Sequence, residues 1–262
     1  MTDRPRTEGM ELREKLAADE APIGSWVSLG STAAAEVAGG LGFDFVVADT
    51  EHTPLSVESA GELVRAVDAA GDTDTVVRVP ENDTTEVKRA LDLGAAGVMA
   101  PNIESAGAAE ALVSATRYPP EGVRGVAGSR ANDYGTHTKA YFENANESIA
   151  VIPQIESAAG VEHADEIAAV DGVDTLFVGP ADLSASLGCF GEYDDPTFLD
   201  ALDRVFAAAE EAGVPVGTLA TGPTEIDSWH ERGFDYLIVG TDIGYLRQGA
   251  KAAKEHYESL SR

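Results

Sequence analysis

Thr75-Val76-Val77-Arg78-Val79-Pro80, then Thr85-Glu86-Val87-Lys88-Arg89-Ala90-Leu91-Asp92-Leu93, then Gly97-Val98-Met99-Ala100: this stretch is an apolar β-branched run, a segment of helical period and a second apolar run. It reads as strand–helix–strand, and apolar residues at consecutive positions mean strands buried on both faces. The unit recurs in both directions along the chain. Apolar runs lie near Ile23–Leu29, Phe43–Ala48, Thr75–Val79, Gly97–Ala100, Ala150–Gln154, Thr175–Val178, Pro215–Thr218 and Tyr236–Val239. Helix-like segments between them include Ser56–Ala70, Thr85–Leu93, Ser105–Thr116, Pro196–Ala212 and Thr224–Arg232, and Leu246–Ser259 is expected to be the eighth.

Eight strand–helix units in 262 residues predict an α/β fold with a parallel sheet covered by helices, closed as a single-domain (β/α)8 barrel of the TIM type. An open doubly wound sheet is the alternative, but it announces itself with a glycine-rich phosphate turn after the first strand. Gly30-Ser31-Thr32 stands there instead, with no G-x-G-x-x-G. Residues 1–20 are expected to be an N-terminal extension or helix, and 117–149 a long loop rich in Gly, Asn and Tyr. Connections of that length serve function or form subunit contacts.

A chain of this size buries roughly three quarters of its unfolded surface, so its core needs no disulfide support. The single cysteine, Cys189, excludes an intramolecular disulfide and fits a reducing cytosol. Met1–Glu20 has no apolar signal core, and no apolar run reaches the ~20 residues of a membrane span, so a cytoplasmic location is expected. Asp and Glu number 46 against 18 Lys and Arg, a net charge of −28. Such a surface repels nucleic acid and anionic membranes. A basic partner is one explanation. A halophilic surface, screened at molar salt where the Debye length is ~3 Å, is the one favoured by the scatter of the acids over the whole chain.

Barrel active sites form at the carboxyl ends of the strands. Asp49-Thr50-Glu51-His52 follows the second strand, Arg78-Val79-Pro80 ends the third, Gln154-Ile155-Glu156 ends the fifth, and Gly179-Pro180-Ala181-Asp182-Leu183 follows the sixth. Gln154 and Glu156, two apart, face the same side of a strand. The Gly-Pro turn lets Asp182 approach closely. Two carboxylates completed by water and substrate oxygens favour Mg²⁺ or Mn²⁺ over zinc, with Co²⁺ a third candidate. The plainer reading makes both acids helix caps. Arg78 ends an apolar strand, so it requires a buried carboxylate or an anionic ligand. His52 stands just past a strand end, as a catalytic group or a structural one. His137 lies in the long loop, and His163, His230 and His256 lie in helix-like segments. Cys189, with no base near it in sequence, reads as a small buried hydrophobe. None of the five lysines (15, 88, 139, 251 and 254) falls on an apolar run, which disfavours Schiff-base chemistry.

Together, Asp49-Thr50-Glu51-His52, Val77-Arg78-Val79-Pro80, Arg117-Tyr118-Pro119-Pro120-Glu121-Gly122-Val123-Arg124-Gly125, Gln154-Ile155-Glu156 and Gly179-Pro180-Ala181-Asp182-Leu183-Ser184 resemble the HpcH/HpaI family of class II, metal-dependent pyruvate aldolases. The likeness runs in order from about Gly24 to Thr241. It points to the branch acting on 2-oxo-3-deoxy sugar acids or 4-hydroxy-2-oxo-dioates. The resemblance implies that Glu156 and Asp182 hold the metal and that Arg78 binds the pyruvyl unit and stabilises its enolate. Gln154 would sit beside metal and substrate. Gly179, Pro180, Ala181 and Asp182 would bind substrate, with the amides around Ala181 and Asp182 on its carboxylate. His52 would serve acid–base chemistry through a water, paired with Asp92 across a subunit boundary in a homo-oligomer, a hexamer built from trimers. The partners would be a small 2-oxo acid and an aldehyde. Val126-Ala127-Gly128-Ser129-Arg130-Ala131-Asn132-Asp133-Tyr134 departs from the family's small-residue run, and is expected to border the aldehyde pocket.

Two further readings compete: an acyl-CoA carbon–carbon lyase of the citryl/malyl-CoA type, whose chains tend to carry extra C-terminal segments, and a non-catalytic acidic assembly module.

Overall fold

The computed structural model describes residues 10–18 and 20–260. Eight strands close in sequence order: β1 (Ile23–Val27), β2 (Phe45–Asp49), β3 (Asp74–Arg78), β4 (Gly97–Ala100), β5 (Ala150–Ile155), β6 (Leu176–Val178), β7 (Val216–Leu219) and β8 (Tyr236–Thr241). Every pair is parallel, and β8 closes on β1 through Ile23–Leu237 and Gly24–Ile238 with a register shift before Trp26. The helices are α1 (Met10–Ala17), α2 (Thr32–Gly40), α3 (Val57–Ala70), α4 (Thr84–Asp92), α5 (Ala106–Thr116), α6 (Thr138–Ser148), α7 (Ala158–Glu162), α8 (Ala164–Ala168), α9 (Pro180–Ser186), α10 (Pro196–Ala212), α11 (Pro223–Arg232) and α12 (Asp242–Leu260). The barrel expected from the sequence is therefore the barrel observed.

Side-chain alternation along the strands builds two apolar layers. Outward residues, Val46, Ala48, Val77, Val98, Val151, Leu176 and Val178 among them, pack beneath the helices. Inward residues fill the barrel: Trp26, Phe45, Val47, Val76, Met99, Ile152, Phe177, Tyr236 and Ile238. Close packing inside dictates glycine at two strand positions. A Cβ at Gly24 would stand 2.4 Å from the Phe45 ring, and one at Gly217 would stand 2.1 Å from the Tyr236 ring.

The amino-terminal rim is closed by α1, whose Leu12 and Leu16 join the inner layer. Aspartates just before strands tie this rim together. Asp44 accepts the Ile23 N–H at 2.7 Å, Asp174 that of Val151 at 2.9 Å, and Asp235 that of Val216 at 2.7 Å. Each satisfies a donor at the start of the preceding strand, the first residue of β1 and β7 and the second of β5. Lys15 and Arg13 of α1 bind Asp44 and Asp174 in turn, both at 2.7 Å.

The stretch 117–149 corrects one expectation. It is not a bare loop: Arg130–Gly135 forms a 3-10 turn, and α6 follows it. Tyr118 stacks on Phe142 at 4.8 Å, and the buried Arg124 guanidinium lies over Tyr118 at 4.6 Å, so aromatic residues anchor the segment. The eighth helix forms as α12, longer than Leu246–Ser259, but none of its residues is buried.

Replacing Gly217 with Ala should cost roughly 1–3 kcal/mol by overpacking against Tyr236. Gly107→Ala, in an exposed turn of α5 with open space around it, should stabilise by roughly 0.5–1 kcal/mol. Thermal melts of the two variants check this: the shifts should be opposite in sign.

Candidate active site

The inner parity of the strands carries polar residues at their carboxyl ends. Above Phe45 and Val47 comes Asp49, above Val76 comes Arg78, above Ile152 come Gln154 and Glu156, and above Phe177 comes Gly179. The topmost interior layer is therefore ionic, although it is continuous with an apolar core.

Arg78 lies at its centre and is buried. Its Nε and Nη2 donate to the two Asp49 carboxylate oxygens at 2.9 and 2.7 Å, and its guanidinium stacks over the Trp26 ring at 4.6 Å. Nη1 stands 2.7 Å from Glu51 Oε2, which accepts no aligned hydrogen bond. Asp49 thus fixes one edge of the fork, and charge alone holds the other. The Glu51 N–H donates to Asp49 at 3.0 Å, and the Thr50 hydroxyl donates to the Arg78 carbonyl at 2.6 Å, so the β2 end is locked to the β3 end. The sequence left open whether a carboxylate or a ligand answers Arg78. Two carboxylates do, and the Glu51 side leaves donors for a ligand.

Glu156 is buried, and its Oε1 accepts the Asn102 N–H at 2.8 Å. A Cβ at position 179 would stand 2.7 Å from its Oε2, so Gly179 is what leaves the carboxylate room. Burial, and then the nearby charges of Glu51 and Asp182, push its pKa from 4.5 up to about 7. Burial also raises Glu51, against the lowering pull of Arg78. Asp182 lies in the first turn of α9, whose N-cap Gly179 offers no side chain to the amides of Ala181 and Asp182. Beside these acids the Gln154 Oε1 is buried without a donor. Crowded acids, one of them half-protonated near neutrality, form a cradle suited to a hard divalent cation. Among the described residues no group of three or more His, Cys, Asp or Glu side chains is gathered around a common point. Glu156 and Asp182 could hold such an ion only with water and substrate completing its coordination sphere.

His52 stands at the same rim, its side chain 65% exposed and Nε2 3.9 Å from Glu51 Oε1. Asp92 does not meet it within the chain. It ends α4 just before β4, at the amino-terminal rim, 3.6 Å from Arg124 Nη2. The segment 126–134 lies at that rim too, where Arg130 donates to the Leu93 carbonyl at 2.7 Å and pairs with Asp68. It therefore does not border its own chain's carboxyl-end site, because the aromatic anchor and α6 carry it beneath the barrel. Reading the sequence selected His52 from Asp49-Thr50-Glu51-His52 and assigned no role to Asp49, Glu51 or Trp26. The parity rule applied to Gln154 and Glu156 also finds Asp49 and Glu51. No lysine lies on a strand among the described residues.

Residues 22–248 match the family model described as HpcH/HpaI aldolase/citrate lyase. The chain belongs to that family. It is 39% identical over 244 residues to a 5-keto-4-deoxy-D-glucarate aldolase of Salmonella arizonae, covering 93% of this chain and 94% of that one. A crystal structure of an HpcH/HpaI aldolase/citrate lyase family protein from Burkholderia cenocepacia J2315 superposes with a TM-score of 0.91 at 41% identity, over 95% of this chain and 99% of that one. The citrate synthase SbnG superposes at 0.85 with 30% identity, over 96% of this chain and 99% of that one. This aldolase is a carbon–carbon lyase, and the assembly-module reading falls away.

Glu156 binds its proton more tightly folded than unfolded, so its contribution to stability is present below pH 4.5 and lost as pH rises through about 7. In chelator, the stability of the protein relative to Glu156→Gln should fall across that window by up to roughly 3 kcal/mol. Urea titrations at pH 4.5, 6 and 8 check it; a difference independent of pH would refute it.

Proposed function

We propose that the carboxyl-end rim cleaves a 4-hydroxy-2-oxo acid reversibly to pyruvate and an aldehyde, with a 5-keto-4-deoxy aldarate as substrate. The observation that carries the reading is Arg78, a buried cation in the top interior layer, whose charge acts together with those of Glu51 and Asp182 on the buried Glu156. The relatives matched over nearly their whole length are named for 5-keto-4-deoxy-D-glucarate, a diacid whose cleavage beside its methylene carbon yields pyruvate and a three-carbon aldehyde acid.

A divalent cation, Mg²⁺ or Mn²⁺, held by Glu156 and Asp182 would supply a Lewis acid for the 2-oxo acid's oxygens. The chain's own groups do the rest. The Arg78 fork places positive charge where the enolate develops. The amides of Ala181 and Asp182, aided by the turn Gly179-Pro180, receive the substrate carboxylate. The Gln154 amide oxygen accepts from a substrate hydroxyl or water. In cleavage His52, through a water, takes the proton of the C4 hydroxyl. The C3–C4 electron pair passes to the pyruvyl unit as enolate, and the aldehyde leaves. A proton delivered to C3 then completes the methyl group of pyruvate. Asp92 of a second copy would orient His52, which makes the working form a homo-oligomer, hexameric by likeness to the family.

The acyl-CoA alternative has less support, since the citrate lyase β subunit from Mycobacterium tuberculosis is 21% identical with a TM-score of 0.59 and shares the fold alone. The net charge of −28 supports a halophilic surface. No helix of the described residues is long and apolar enough to cross a membrane, in keeping with a cytoplasmic enzyme.

Chelation with EDTA should abolish pyruvate release from a 5-keto-4-deoxy aldarate, and Mg²⁺ or Mn²⁺ should restore it. Full activity in chelator with inactivation by borohydride and pyruvate would overturn the mechanism. Arg78→Lys, which keeps the charge and loses the fork, should lower kcat/KM by about 10²-fold or more while the fold persists. Raising KCl from 0.1 M to molar concentration should raise the melting temperature, as screening relieves self-repulsion; a falling Tm would argue against the halophilic surface.

A further inference from the structure

The turn that leaves β4 holds a backbone conformation that few residues adopt. Ala100, the last residue of β4, pairs with Pro153 on β5. Proline has no N–H to give the ladder, and Pro101, next in the chain, has none either. The chain then turns at Asn102, whose φ is 54°, in the left-handed region. Non-glycine residues are uncommon there, and asparagine is among the few that tolerate it. Two others, Asp133 and Tyr134, belong to the 3-10 turn near the amino-terminal rim. Among the described residues, Asn102 is therefore the non-glycine residue of positive φ at the carboxyl-end rim.

The turn aims two successive amides at β5 and the residue after it. The Asn102 N–H donates to Glu156 Oε1 at 2.8 Å, and the Ile103 N–H donates to the Gln154 carbonyl at 3.2 Å. Ile103 is buried and anchors the far side of the turn. The Asn102 side chain is exposed, and the contact that reaches the site comes from its backbone. The two oxygens of Glu156 are thereby made unequal. Oε1 is tethered to the turn, whereas Oε2 lies beside the gap left by Gly179, where a Cβ would stand 2.7 Å away. Backbone conformations of this sparsely populated kind gather at functional sites, where the surrounding structure holds them in place.

We propose that Asn102 is a positioning residue for the divalent cation: its left-handed backbone tethers Oε1 of Glu156 and so presents Oε2 as the ligand oxygen. A carboxylate free to rotate must be ordered when the ion binds, whereas a tethered one has lost that freedom on folding. A residue that resists positive φ would draw the amide away from Oε1 and release the carboxylate. Glycine would keep the turn, because it has no Cβ to oppose it. The same turn fastens Gln154 through Ile103, so its loss would loosen both polar residues at the end of β5. The inference rests on the reading of Glu156 as a metal ligand and adds to it a residue whose side chain contributes through conformation alone.

The test measures Mn²⁺ binding to the full chain in molar KCl, without substrate, by the electron paramagnetic resonance of the free ion. Asn102→Gly, which keeps the positive φ and removes the side chain, should bind within about twofold of the unsubstituted protein. Asn102→Val, β-branched and strained in that region, should bind about 10- to 100-fold more weakly with unchanged circular dichroism. Where valine prevents folding, Asn102→Ala gives the same reading at smaller amplitude, about threefold or more. A valine or alanine variant that binds as tightly as the glycine variant would overturn the inference. So would a glycine variant as weak as the valine one, since the role would then belong to the side chain. Glu156→Gln separates this inference from the reading beneath it, and should abolish binding. Binding that survived Glu156→Gln would overturn the metal assignment and the role of Asn102 with it. Binding lost with Glu156→Gln but indifferent to position 102 would overturn the role of Asn102 alone.

Discussion

The buried guanidinium of Arg78, gripped at one edge by Asp49 and drawn at the other to Glu51, is the contact on which the carboxyl-end rim depends. Removing a cation from water is costly unless carboxylates compensate it. The compensation here joins β2 to β3 at the point where the inner layer of the barrel changes from apolar to ionic. It also sets the charges of the neighbouring groups. Glu51 is drawn toward Arg78, while Glu156, raised first by burial and then by the charges of Glu51 and Asp182, holds its proton to about pH 7. In the proposed reaction a divalent cation would relieve this crowding of acids, and Arg78 would stand already oriented toward the developing charge of an enolate.

The barrel was legible because its signal is redundant: eight apolar runs with helical segments between them define the fold even though their ends were misplaced by a residue or two. The strand-end motifs were equally readable, since a charged residue at the inner parity of an apolar strand, as at Arg78 or Glu156, has few structural explanations. What escaped the sequence was tertiary. The stretch 117–149 looked irregular because Gly, Asn and Tyr dominate it, and its helix α6 is held by Tyr118, Arg124 and Phe142, contacts made across many residues. The same anchoring carries Arg130 under the barrel instead of over its mouth. Asp49 and Glu51 were visible as letters, but only the barrel's parity shows that they face Arg78.

Two parts of the molecule thus look outward for completion. Asp92 sits far from His52 within one chain, and none of the residues of α12 is buried. The proposed pairing of Asp92 with His52 therefore needs a second copy of the chain. The acidic surface makes such an assembly sensitive to ionic strength, because copies of net charge −28 approach one another only under strong screening.

The most direct probe of the ionic layer is solvent exchange at the methyl group of pyruvate, because it reports enolate formation with no aldehyde involved. With Mn²⁺ in deuterated molar KCl, the protein should introduce deuterium into pyruvate, and Glu156→Gln and Arg78→Lys should each suppress the exchange. Exchange that continued at full rate in both variants, or that never occurred with metal present, would contradict the assignment of this rim to enolate chemistry.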